Sequence, residues 1–283
     1  MDVPTEFQQG FADSLLRWWS WDLRDFPWRK QANLTPYRIL VAELLLKRTT
    51  ASAAARSYLA FLTEYPDLES LCATTTARLE ARFAQVGLHR QRAKSTSNLA
   101  RYLTEQHQST LPDLLEDLLR VPSIGPYSAR AILSFGFDKP NAVVDSNVQR
   151  IFRRFHGVQP SESNKISDDQ ALVDQLLPIH AHRQFNFAMI DLGSLVCRPV
   201  SPDCQRCPLS ETCNYRLVGS ASSVPGPSVI AVKMREKRKA KGFSLTALAS
   251  ITGLSKATII NLEKGRTNPS QNTVKRISSV LER

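Results

Sequence analysis

An all-α fold carrying a separate small helical module at its C-terminal end is what this sequence predicts, on three observations. Apolar residues return at helical spacing on both sides of a tight break: Leu114, Leu115, Leu118 and Leu119 precede Pro122-Ser123-Ile124-Gly125-Pro126, and Ala129, Ala131, Ile132, Leu133 and Phe135 follow it. Residues 52–110 read as three further amphipathic helices, with breaks near Tyr65-Pro66 and Gly87. Composition then shifts after Asn214 towards Gly219-Ser220-Ala221-Ser222-Ser223-Val224-Pro225-Gly226-Pro227-Ser228, which predicts a flexible linker over 214–228 and a unit of its own over 229–283.

The 283 residues, 42% of them hydrophobic, suffice for a real core and for more than one domain. No window of about 18 apolar residues occurs and no signal-peptide pattern opens the chain, so the expectation is a soluble, cytoplasmic protein without a membrane partner. Charge is uneven. Residues 229–283 hold 12 Lys/Arg against 3 Asp/Glu and the rest holds 25 against 23, so the net +11 belongs mostly to the tail. That footprint predicts a polyanion partner for 229–283 and says little about the larger part.

In chain order, a helix from Phe7 to about Leu23, apolar at Phe11, Leu15, Trp18 and Trp19, runs into Phe26-Pro27-Trp28-Arg29, whose aromatics read as core anchors. Pro36 starts the next helix, which is apolar nearly all round and therefore central. Glu43 in its middle has two readings, a pair with Lys47 one turn on or a buried carboxyl with a raised pKa, and periodicity alone favours the pair. Lys47 and Arg48 then form a solvated helix end. At the 122–126 break, Pro126 suits a first helical position, Gly125 permits close approach to the backbone, and the open N–H groups of a helix start suit a phosphate. Tyr127 reads as a packed aromatic, and Asp145 as the N-cap of a Val148–Phe155 helix or as a neighbour of an Asn147 cap, with the first favoured. Helices over Asp174–His180 and Arg183–Leu195 follow. Cys197, Cys204, Cys207 and Cys213 then fall within 17 residues as C-x6-C-x2-C-x5-C. Such clustered thiols predict a metal rather than disulfides, and the spacing by itself leaves zinc and an iron–sulfur cluster open. Cys72 reads as a buried core residue, and the five histidines show no ligand spacing.

The run Val121-Pro122-Ser123-Ile124-Gly125-Pro126-Tyr127-Ser128-Ala129, followed by Val144-Asp145-Ser146-Asn147-Val148-Gln149-Arg150, resembles the helix-hairpin-helix/GPD superfamily of DNA glycosylases. That family's hairpin reads L-P-G-V-G-x-x-T-A ahead of V-D-x-N-V-x-R. The resemblance covers about residues 5–213 and implies a two-lobed fold: a six-helix barrel lobe over 31–138, a second helical lobe from 1–30 and 139–196, and an iron–sulfur loop over 197–213. It assigns the four cysteines to a [4Fe–4S] cluster that orders a basic loop, with Arg198 and Arg206, against phosphate.

Roles follow from the same resemblance. Glu43 faces the extruded base and supplies a proton, and Asp145 stabilises the oxocarbenium-like sugar or activates water. Lys47, Arg48 and Leu88 enter the gap left by the flipped nucleotide or touch flanking phosphates. Ser123 and Gly125 grip the DNA backbone, and Asn147 fixes local backbone or a phosphate. Ser123 stands where the family has its first hairpin glycine, a substitution the turn accepts if φ stays negative. Tyr127 discriminates: bifunctional members such as endonuclease III have lysine there, the MutY-type adenine glycosylases serine, and the Mig-type thymine/uracil mismatch glycosylases tyrosine, which forms no imine. Lys47-Arg48 likewise replaces two glutamines of the adenine enzymes. The resemblance therefore implies a monofunctional, nucleoid-associated enzyme that removes thymine or uracil opposite guanine from double-stranded DNA. An adenine glycosylase and a non-catalytic iron–sulfur DNA-binding regulator compete with it; a pure binder, however, needs neither Glu43 nor Asp145.

Residues 229–283 resemble the Xre/λ-repressor type of helix-turn-helix: a basic Val232–Ala240 helix, a helix capped by Ser244, a turn at Gly253, a recognition helix over Ser255–Glu263, and a last helix from Thr273 after Gly265–Ser270. Lys256, Ala257, Thr258 and Asn261 then lie nearest the groove, with Leu245 replacing a customary glutamine. A small basic bundle without DNA contact is the plain alternative. Targeting, gene regulation and dimerisation are all open to the module.

Overall fold

The computed structural model describes residues 5–20, 23–157, 166–219, 227–263 and 271–281, and every regular element among them is helical. By contacts the chain divides into two compact units, Met1–Gln149 with Ser161–Asp191 and Arg150–Pro160 with Leu192–Arg283. Among the described residues no single helix is long and apolar enough to cross a membrane.

In the first unit the Thr5–Trp18 helix buries Phe11 and Leu15 and stops earlier than expected, with Trp21 and Asp22 outside the described residues. Its aromatics are core anchors, as their density suggests: Phe11 meets Phe185, and Trp19 stacks on Phe187, which also stacks on Phe135. A buried ion pair closes this corner. Arg29 donates to both oxygens of the fully buried Asp191 at 2.7 and 2.8 Å, and Trp19 Nε1 donates to Oδ2 at 2.9 Å. The Pro36–Leu46 helix is central, with Ile39, Leu40, Val41, Ala42, Leu44 and Leu45 buried. Gly136 lets the chain pass over its start, since a Cβ there would lie 2.7 Å from Pro36 Cα.

Between residues 51 and 107 there are four helices rather than three: Ala51–Glu64, Leu68–Ala73, Thr76–Phe83 and His89–His107. The extra break is a capping effect. Thr75 accepts from Arg78 N and restarts the helix, while Asp67 and Ser70 form a capping box one helix earlier. Of the four leucines ahead of the hairpin only Leu118 is buried; Leu114 and Leu119 are exposed, because the Leu115–Arg120 helix is a short one lying at the surface. Cys72 is half-buried rather than buried. The helix expected at Asp174–His180 lies at Ile166–Leu176 instead, with a short turn at Ile179–Ala181. Pro178 is the reason, since it offers no N–H and disfavours helical backbone just before it.

In the second unit Asn214–Gly219 is helical, so the expected linker is shorter at its start, and residues 220–226 lie outside the described residues. Pro227–Ala240, Leu245–Thr252, Lys256–Glu263 and Gln271–Leu281 then pack around Met234, Leu248, Ala249, Ile259, Leu262, Ile277 and Leu281. Ser244 and Ser255 accept from Ala247 N and Thr258 N at the two middle helix starts, and left-handed Gly253 ends the first of them. Those two helices meet at 115°, as a helix-turn-helix requires. Arg238, held by both oxygens of Glu263, ties the first helix to the third. The expected turn at Gly265–Ser270 lies outside the described residues.

Candidate active site

Glu43, Tyr127 and Asp145 come from three separate stretches of the first unit and meet close enough for Asp145 to act on Glu43 and for both carboxyls to act on the Tyr127 phenol. Glu43 projects from the middle of the Pro36–Leu46 helix, where every backbone N–H is already used, so a side chain must satisfy it. Ser128 Oγ does so, donating to Oε2 at 2.9 Å. Burial pushes the Glu43 carboxyl up to about 7, against smaller downward pulls from Ser128 and Lys47 and with a small further push from Asp145. The predicted pair with Lys47 does not form; Lys47 Nζ donates instead to Ser123 O at 2.7 Å, because the hairpin carbonyl stands nearer.

Asp145 is the N-cap of the Ser146–His156 helix, as its position suggested, and the cap holds its carboxylate in place. Oδ1 accepts from Asn147 N and Val148 N at 2.8 Å each, and Oδ2 accepts from Asn147 Nδ2 at 2.7 Å. Asn147 thus fixes the acid itself rather than only backbone. The extended chain leading to Asp145 is pinned in turn. Asn186 accepts from Val143 N and donates to Asn141 O, and Gln170 donates to Ala142 O. Tyr127 lies within reach of both acids, its phenol pushed well above its ordinary value by burial first and then by Glu43 and Asp145. It therefore stays a neutral phenol. Asn186 and Gln170 carry no motif, and nothing in their sequence neighbourhood marked them; Ser128 stands at the threonine position of the hairpin motif, which gave no sign of its bond to Glu43.

Of the residues expected to touch DNA, Lys47, Arg48, Leu88 and Ser123 are exposed and Gly125 is half-buried. Arg48 is exposed with φ +51, and Leu88 is 46% exposed with φ +52 at the tip of its loop, after Gly87 at φ +77. Ser123 overturns one expectation: its φ is +69, not negative, because the turn needs a left-handed residue there whatever its side chain. Gly125 has an ordinary φ of −99, and a Cβ on it would meet nothing within 4 Å.

In the second unit Cys197, Cys204, Cys207 and Cys213 line one cavity together with Ile151, Phe155, Leu192, Val196 and Leu209. All four thiols are half-buried, and burial pushes Cys207 up to about 11. Arg154 Nη1 points at Cys197 Sγ from 3.4 Å. Among the described residues no three His, Cys, Asp or Glu side chains converge tightly enough to hold a single ion. Four thiols lining one apolar cavity are the donor chemistry that a [4Fe–4S] cluster takes, one cysteine per iron. On the helix-turn-helix, Lys256 and Ala257 are exposed, Thr258 and Asn261 are half-buried, and Thr258 Oγ1 is shared with Ser255 Oγ at 2.8 Å.

A hairpin ahead of a capped aspartate, two acids and a phenol in one site, and a cysteine cavity define a class of DNA-processing protein. The chain belongs to the HhH-GPD superfamily of base excision DNA repair proteins: that family model matches residues 41–173, and a helix-turn-helix model matches 234–283. It is 31% identical over 217 residues to the thymine/uracil-DNA glycosylase of Methanothermobacter thermautotrophicus, spanning 76% of this chain and 96% of the relative. An adenine DNA glycosylase of Mycobacterium tuberculosis is 32% identical over 211 residues, spanning 73% of this chain and 67% of the relative. The solved structure of a thermostable thymine-DNA glycosylase matches with a TM-score of 0.72 at 30% identity, over 77% of this chain and 100% of that one. The protein is a DNA N-glycosylase of base excision repair, not a binder alone.

Proposed function

We propose that this glycosylase removes thymine or uracil mispaired with guanine from double-stranded DNA and leaves an abasic site. The convergence of Glu43, Tyr127 and Asp145 carries the reading. A carboxyl pushed up to about 7 is half protonated at neutral pH and hands its proton to the departing base. Asp145, held rigidly by three N–H donors, faces the positive charge that grows on the sugar as the bond breaks, or orients the attacking water. Tyr127 has no amine with which to form an imine, so no Schiff base forms there and the strand stays intact. The likeness to the Methanothermobacter thymine/uracil enzyme over nearly its whole length supports the choice of base.

Lys47, Arg48 and Leu88 fill the gap left by the everted nucleotide, and the free face of Gly125, which no protein atom needs, receives a phosphate. Cys197, Cys204, Cys207 and Cys213 hold a [4Fe–4S] cluster whose task is to order the basic loop carrying Arg198 and Arg206. The helix-turn-helix lays Lys256, Thr258 and Asn261 against the major groove and keeps the enzyme on the nucleoid in the cytoplasm; self-association through it is a second use of the same module. Duplexes with G·T, G·U and G·A mispairs test the substrate: release of thymine or uracil is expected, and release of adenine alone rejects it. Strand cutting without alkali, with borohydride trapping, rejects the absence of an imine. Iron and sulfide analysis against zinc tests the cysteine site.

A further inference from the structure

Arg92 joins the two loops beside the site. It lies on the first turn of the His89–His107 helix and is 5% exposed. Its Nε donates to Gly87 O at 2.8 Å, Nη1 to Leu44 O and Leu45 O, and Nη2 to Lys47 O and Thr49 Oγ1. Every one of these acceptors is a carbonyl or a hydroxyl. Three are carbonyls at the C-terminal end of the helix that carries Glu43, where acceptors are otherwise orphaned and the helix dipole favours a cation. A planar fork of five donors spans the two loops at once, which a lysine with all its donors on one nitrogen does not. Thr49 Oγ1 closes the link from the other side, 2.9 Å from Val86 O. Lys47 carries it on to the hairpin at Ser123 O.

We propose that Arg92 is a positioning residue for base eversion: it fixes the Lys47–Thr50 turn and the Val86–Leu88 loop as one rigid piece, so that the gap-filling and wedging groups enter the duplex together. The inference rests on the reading that these loops enter the duplex. Extrusion costs unstacking and unpairing, and side chains that arrive separately leave part of that cost uncovered.

The test uses the full-length wild type, Arg92→Lys and Thr49→Val on a G·U duplex with 2-aminopurine beside the uracil, and on the same duplex with the uracil opposite an abasic site. We expect DNA affinity within about threefold of wild type and single-turnover excision from the G·U duplex slower by roughly 10- to 100-fold in Arg92→Lys and less in Thr49→Val. The 2-aminopurine signal should fall in step, and most of the rate should return when the uracil is already unpaired. Equal losses on both duplexes overturn the proposal, because a merely structural defect does not distinguish them. Should Arg92→Lys fail to fold, Thr49→Val decides, and wild-type eversion in it overturns the clamp. A wild-type protein that releases uracil from neither duplex overturns the reading of the site itself and the clamp with it.

Discussion

Glu43 and Asp145 carry the same functional group in opposite surroundings. Glu43 stands mid-helix among apolar neighbours, where all backbone donors are spent and the Ser128 hydroxyl donates to it, so burial dominates and the carboxyl is pushed up to about 7. Asp145 stands at a helix start, where unspent N–H groups collect on it and occupy both oxygens as acceptors. The position of an acid within its helix thus decides how it is held: Glu43 by burial and one hydroxyl, Asp145 by a ring of N–H donors, and the proposed function assigns the first to proton donation and the second to the sugar. A glycosylase needs one of each.

The largest test of that division is Asp145→Asn. Asparagine caps a helix about as well as aspartate, so fold and DNA affinity should persist while excision falls by on the order of 1000-fold or more. Equal loss of binding and of rate would reduce Asp145 to a cap. Next is Glu43→Gln, expected to slow excision by roughly 100-fold or more and to abolish the wild-type loss of rate as pH rises through about 7, where the acid gives up its proton. Stability should move the other way. The folded pKa of Glu43 lies above its ordinary 4.5, so its contribution to stability is fully present below that pH and lost as pH rises to about 7. At pH 8 the Gln variant should therefore be more stable than wild type by about 2 kcal/mol, after allowance for the open side of the site, with parity near pH 4. Denaturant titrations at the two pH values check it. A smaller effect comes from Ser128→Ala: losing the hydroxyl should move the alkaline fall in rate to higher pH, and Ser128→Thr should restore it. An unmoved profile would mean that Ser128 only packs.

How much of this was legible depended on whether a residue acts through its own type or through its place. Cys197, Cys204, Cys207 and Cys213 share a cavity because thiols at that spacing have little else to do, and the capping serine Ser244 sits where a polar residue precedes an apolar run, whereas Ser255, read as the first residue of the recognition helix, is its cap. Asp145 was read as a cap from position alone, and it is one. Glu43 was misjudged by periodicity, since spacing places Lys47 one turn away but cannot show Ser123 O standing nearer to it. Arg92, Gln170 and Asn186 were invisible. Each acts on backbone carbonyls or amides brought close only by tertiary packing, and a carbonyl leaves no mark in a sequence. Helix ends were missed where a single cap or proline decided them, as at Thr75 and Pro178.

The smallest effect lies in the hairpin that delivers Ser128 to Glu43 and Tyr127 to the same site, and it separates what the fold needs from what DNA needs. Ser123 is exposed and held at φ +69, a conformation that costs a residue with a Cβ roughly 1–2 kcal/mol, while its carbonyl alone receives Lys47. Ser123→Gly removes that strain, keeps the hydrogen bond, and gives back part of the gain as extra freedom in the unfolded chain. A net stabilisation of about 0.5–1 kcal/mol should result, a few degrees in melting temperature, with the excision rate unchanged. Gly125→Ala is its mirror: at φ −99, with no protein atom within 4 Å of the added methyl, it should leave stability alone and weaken DNA binding. If Gly125→Ala destabilised the fold and left binding intact, the open face at Gly125 would have no phosphate to meet, and the hairpin would serve only to carry Tyr127 and Ser128.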